Sequence, residues 1–141
     1  MNEEQRRICK MLREMSDEEA AAWLKRHYPG DDARLFWDAV FLLAHRSWRK
    51  KQRDKLLDYY LGYLKVHHVP ASTAFEPLVR VAPIWRLCKV LTRHLPDNEK
   101  HLDLLAYNGL PVLKYSCKTK KDRQAVEDLE CRLKDGMRKA D

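Results

Sequence analysis

Turn-forming residues are scarce in this chain: 4 Gly and 6 Pro among 141 residues. Tight hairpins draw on both types, so little is available to build a β-rich fold, and helices are favoured. Long apolar runs are missing too. The longest, around Leu35 to Ala44, is about half of what a membrane-spanning helix requires. Met1-Asn2-Glu3-Glu4 is polar and acidic, unlike the start of a signal peptide. A cytoplasmic protein with no membrane partner is therefore expected.

Catalytic signatures are absent as well. There is no Gly-x-Ser-x-Gly, no Walker loop and no Gly-x-Gly-x-x-Gly. The six His include no pair spaced i, i+4 around a Glu, and the adjacent His67 and His68 diverge on a helix. The cysteines, Cys9, Cys88, Cys117 and Cys131, match neither a zinc spacing nor a Cys-x-x-Cys pair. They read as buried or half-buried free thiols. Cys117, inside the basic run Lys114 to Lys121, is the most thiolate-prone by context. Asp17-Glu18-Glu19 sits where a first helical turn wants acid. The expectation is a protein that is not an enzyme and holds no metal or cofactor.

What the chain does have is enough apolar material for a core, 45% of residues, beside a high charged fraction of 35%. Its length suits one domain, 1–141, with no repeat and no low-complexity linker. Asn2 with Gln5 and Ser16 with Glu19 have capping-box spacing and open two amphipathic helices. Pro29-Gly30 ends the second, and Asp31 or Asp32 caps a third. From Leu35 to Ala44 only Asp38 is polar, so this helix is expected buried at the centre of the fold. The next segment carries Leu56, Leu57, Tyr60, Leu61 and Leu64 on one face. It either continues the same helix or restarts at Ser47, and a break near His45-Arg46-Ser47 is preferred.

Ser72 or Thr73 opens a short helix. Val79-Arg80-Val81 alternates but is too short for a strand. Pro83 suits the first position of a helix with Ile84, Leu87, Cys88, Leu91 and Leu95 inward. A further helix begins at Asp97 or Asn98 and stops at Asn108-Gly109, followed by a short turn at Leu110 to Leu113. The last opens near Thr119 with the stripe Val126, Leu129, Leu133 and Met137. The sum is an all-α, compact single-domain bundle of about seven to eight helices, with a buried central helix near residues 33–45.

Charge is distributed unevenly. Residues 1–45 hold 7 Lys/Arg against 9 Asp/Glu, residues 46–94 hold 11 against 3, and residues 95–141 hold 10 against 9. The net excess of the chain, +7, thus belongs to the middle third. Its densest part, Arg46 to Lys55, lies at the positive end of any helix that starts near Ser47, where cations are disfavoured. Helical phase pairs Lys50 with Asp54 and Lys55 with Asp58 as ordinary surface contacts. Arg49 and Arg53 share the apolar sector, so they either bridge to carboxylates on neighbouring helices or face a partner.

A second line, Arg86, Lys89 and Arg93, has Trp85 beside it. Tyr59, Tyr60 and Tyr63 are candidates for stacking. These features point to a basic face that engages nucleic-acid backbone without reading sequence. Arg46, Arg49, Lys50, Arg53, Arg86, Lys89 and Arg93 are the expected phosphate contacts, and Lys118, Lys120 and Lys121 extend the path. The alternative is an acidic protein docking on the same face, with this chain as its regulator, inhibitor or immunity-type binder. Oligomeric state is not legible.

Overall fold

Two local caps start the chain as its sequence prescribes. The Asn2 side chain accepts the Gln5 N–H at 2.7 Å and the Gln5 side chain accepts the Asn2 N–H at 3.0 Å, opening α1 (Glu3–Glu14). Ser16 Oγ accepts the Glu19 N–H and opens α2 (Asp17–His27). The computed structural model describes residues 1–140, and every regular element among them is helical. After α2 come α3 (Phe36–Ala44), α4 (Lys50–Leu61), a 3-10 turn (Gly62–Lys65), the one-turn helices α5 (Ser72–Phe75) and α6 (Leu78–Val81), α7 (Ile84–Arg93), α8 (Glu99–Ser116) and α9 (Lys120–Ala140). The seven longer helices form an all-α bundle. None among the described residues is long and apolar enough to cross a membrane.

The helix α3 is too short to persist alone in water, so packing must hold it. Phe36, Ala39, Val40, Leu42 and Leu43 are buried, and only Asp38 is exposed. It lies against α1 and α6. In the C-terminal half, α9 runs along both α7 and α8 through Val126, Leu129 and Leu133. The face of α4 that buries Leu56, Leu57, Tyr60 and Leu61 meets α2 and α7 and joins the two halves.

The chain breaks between α3 and α4, but Ser47 does not cap the second helix. Ser47 is exposed, and α4 begins three residues later with Arg49 as its N-cap, which has no side-chain cap of its own. Asp17 supplies the acceptor: its Oδ2 takes the Arg49 N–H at 2.8 Å. Its other oxygen binds Arg46 Nη1 at 2.6 Å. The same guanidinium donates to the Leu12 and Met15 carbonyls at 2.9 and 2.7 Å, and packs 4.4 Å from the centre of the Trp48 ring. The Arg46 side chain is only 8% exposed.

Asn108-Gly109 does not stop α8, contrary to the sequence expectation. The helix continues through both residues and through Pro111 to Ser116. No glycine among the described residues takes the positive φ that ends helices. Gly109 serves close packing instead, since a Cβ there would meet the Phe75 ring at 3.3 Å. Asn108 is buried and donates to the Val69 carbonyl at 2.9 Å. Pro111 lies on the exposed side, where its missing hydrogen bond falls on the outer surface. Val79-Arg80-Val81 belongs to α6.

Arg46→Met should remove about 1–3 kcal/mol of stability, the range for leaving the partners of a partly buried charged donor unsatisfied. Lys50→Met, at an exposed position nearby, should change it by no more than about 0.5 kcal/mol. Urea unfolding followed by circular dichroism compares the two. A parental midpoint for the Arg46 variant would mean that the guanidinium does not hold this junction.

Candidate nucleic-acid interface

One buried carboxylate organises the basic face. Thr119 Oγ1 accepts the Asp122 N–H at 3.0 Å and so begins α9. Asp122 then turns its own oxygens outward from the helix. Oδ1 accepts the Trp85 N–H at 3.0 Å, and Oδ2 accepts the Lys118 N–H at 3.1 Å. Burial by itself would raise the pKa of this carboxyl. The amides of Lys118 and Trp85, with the contacts from Thr119, outweigh burial and hold it below the usual carboxylate value. The start of α7 and the start of α9 are thereby fixed side by side. Lys121 places its ammonium 3.6 Å from the centre of the Trp85 ring, a cation–π contact.

Two hollows open on either side of this contact, and Trp85 and Lys121 line both. The first, about 1150 Å³, is a groove between α7 and α9. Lys89, Arg93, Lys120, Lys121 and Arg132 face it, against the two carboxylates of Asp128 and Asp135. The second, about 1050 Å³, lies between the turn into α7 and the turn from α8 into α9. Arg53, Arg80, Lys118 and Lys121 face it, and its one acid is Asp122, with an amide on each oxygen.

The structure therefore sorts the ten candidate cations. Lys89, Arg93, Lys118, Lys120, Lys121 and Arg53 come together around the two hollows, although they derive from α4, α7, α9 and the turn before α9. Arg49 and Lys50 are exposed at the start of α4 and line neither hollow. Arg46 leaves the set of phosphate contacts. Its guanidinium is committed to the carbonyls of Leu12, Met15 and Ser47 and to Asp17, and is buried there.

Arg86 also points inward to a carboxylate. Asp54 receives Arg53 Nη2 at 3.1 Å and Arg86 Nη2 at 3.0 Å, which ties α4 to α7. Arg86 Nε is buried with no acceptor among the described residues. The Lys50–Asp54 and Lys55–Asp58 pairs are accordingly not formed. Asp58 lies 2.9 Å from His94 Nε2 and 3.5 Å from Arg93 Nη1. The His94 hydrogen bond is the main reason that its carboxyl sits below the usual range.

Several other candidates are structural. Tyr60 is buried and its hydroxyl donates to the Tyr28 carbonyl at 2.9 Å. Tyr63 is stacked between Phe36 and His67, 4.0 Å from each ring centre. Tyr59 accepts the Gly30 N–H. Of the expected aromatics only Trp85 reaches the face. Cys117 is not activated, because burial and then the nearby Asp122 raise its pKa, and its thiol donates to the Leu113 carbonyl at 3.3 Å. Burial pushes the Cys88 thiol up to about 12. Cys131, against expectation, is exposed.

Sequence reasoning missed Arg80, Arg132 and Tyr115. The first two are isolated cations in mixed surroundings and become part of a site only through tertiary packing. Tyr115 carried a usable signal: an aromatic out of phase with Leu105 and Leu113, it is 93% exposed. No protein-family model, curated protein or solved structure matches this chain, so the chemistry of the face rests on its own residues.

Asp122→Asn tests the organising role of that carboxylate. An amide presents one acceptor, so one of the two N–H donors loses its partner. The folded carboxyl sits below its ordinary value of 3.8. Its stabilising effect is therefore complete above that value and lost as pH falls through the lower folded one. The variant should melt lower at neutral pH and lose less further stability below about pH 4. Thermal unfolding between neutral and strongly acidic pH measures this. Parallel profiles for variant and parent would show that Asp122 contributes none of the acid sensitivity.

Proposed function

We propose that this chain is a non-catalytic helical binding protein whose basic face engages nucleic-acid backbone, as a subunit or accessory factor of a nucleoprotein complex. One observation carries the reading: two adjoining hollows share the Trp85–Lys121 wall, and cations outnumber carboxylates around each. Cations distributed merely for solubility have no reason to converge from α7, α9 and the turn before α9 on the same concavities. Phosphates spaced along a strand suit such a row, and the counterions they release would make the binding depend steeply on salt. The sequence carries no helix-turn-helix pattern, so the contacts expected are to phosphate and sugar.

Lys89→Glu combined with Lys120→Glu should weaken binding by at least about tenfold on unrelated sequences and make the salt dependence shallower, by roughly one unit of slope per lost phosphate contact. Both side chains are exposed, so the fold should tolerate the change. Fluorescence anisotropy with labelled duplex and single-stranded DNA and RNA, between about 50 and 200 mM salt, provides the measurement. Absence of binding to all of them at the lowest salt would sink the proposal. So would capture from the native host of a stoichiometric acidic protein that survives nuclease treatment and moderate salt.

A further inference from the structure

The second hollow is more than a patch of charge. Its floor is apolar, formed by Val79, Val81, Ala82 and Ile84. Two aromatic side chains stand at its walls, Trp85 half-buried and Tyr115 almost wholly exposed. Around them are Arg53, Arg80, Lys118 and Lys121. A phosphate needs only the cations. A hollow that joins cations to aromatic and apolar walls suits a ligand that is anionic at one end and flat and apolar at the other.

A nucleotide has that division, with phosphate on one side and a base with a π-face on the other. Its size does not stand in the way, because about 1050 Å³ is just above the usual range of small-ligand sites. Lys121 already covers one face of Trp85, which leaves Tyr115 as the free stacking surface. In a duplex, the bases are paired and stacked inside, so entering the hollow would require flipping one out at a cost. A single strand can turn a base inward at no such cost.

We infer that the hollow between the turn into α7 and the turn into α9 takes an unpaired base of a single nucleic-acid strand, stacked on Tyr115, while Arg80, Lys118 and Lys121 hold the flanking phosphates and Arg53 stays paired with Asp54. The inference rests on the basic face binding nucleic acid and specifies the form of nucleic acid bound. Asp122 keeps its negative charge, but it is buried, each of its oxygens accepts a backbone amide, and the cations around the hollow outnumber it. Tyr115 has no hydrogen bond or ion pair to lose among the described residues, so its replacement leaves the fold intact and isolates the stacking.

The test compares a labelled oligothymidylate and an oligouridylate with a duplex of matched charge, by fluorescence anisotropy at one salt concentration. The strands should bind at least about fivefold more tightly than the duplex, the lower end of what stacking one base contributes. Tyr115→Ala should lose that advantage and leave duplex binding unchanged, and Tyr115→Trp should restore it. Equal affinity for strand and duplex, or a Tyr115→Ala variant that still prefers the strand, overturns the inference while the basic face stands. Failure of strand and duplex alike to bind overturns both. Displacement of the strand by polyglutamate as effectively as by unlabelled strand of equal charge also overturns it and points to an acidic protein.

Discussion

The contact between Arg46 and Asp17 fixes how the N-terminal half is assembled. The last carbonyls of α1 and the first amides of α4, like those at any helix end, are short of partners within their own helices, and here Leu12 O keeps a local one, the Met15 N–H at 3.2 Å. Arg46 supplies donors to the first set, at Leu12 and Met15, and Asp17 supplies an acceptor to the second, at Arg49. The two side chains then neutralise each other. One ion pair thus sets the end of α1, the start of α2 and the direction in which α4 leaves. That direction carries Asp54 to Arg86 on α7, and the basic face depends on it.

Asp122 repeats the device in the C-terminal half. Neither α4 nor α7 carries a side-chain cap of its own, and neither has an acid in its first turn. Both accept a carboxylate from a remote part of the chain, Asp17 in one case and Asp122 in the other. This resolves the apparent fault in the sequence, cations at the positive end of a helix. With the negative charge supplied from elsewhere, the first turns of α4 and α7 are free to carry Lys50, Lys51 and Arg86. The two helices that breach the local charge rule are the two that contribute arginines to the Asp54 bridge.

Much of the fold was legible because its signals are local. The capping box at Asn2, the side-chain cap at Ser16, the apolar stripe of α7 and the nearly continuous apolar run of α3 depend only on neighbouring residues. The failures have a common physical form. Asn108-Gly109 reads as a stop because both types favour helix ends, and only the proximity of Phe75 and Val69 gives them another use. Ser47 reads as a cap because the competing acceptor lies thirty residues upstream in Asp17. At the site, helical phase could place Lys89 and Arg93 on one line. It could not bring Lys118 to Lys121 against them, since that requires the Asp122 clamp, nor reveal that Arg46 turns inward.

Net charge is therefore a poor measure of what a partner would meet. The middle third has the largest excess of cations in the sequence, yet Arg46 is buried against Asp17, and Arg53 and Arg86 converge on Asp54. Arg46 and Arg86 hold helices together, and Arg53 is tied to its neighbour on α4. Arg80, Lys89, Lys118 and Lys120 make no ion pair among the described residues, and they line the hollows beside Trp85 and Lys121. Lys118 and Lys120 come from the last third, where the sequence is close to neutral. Internal carboxylates subtract from one segment and packing adds from another, so the field at the face is set by the fold more than by the density of Lys and Arg along the chain.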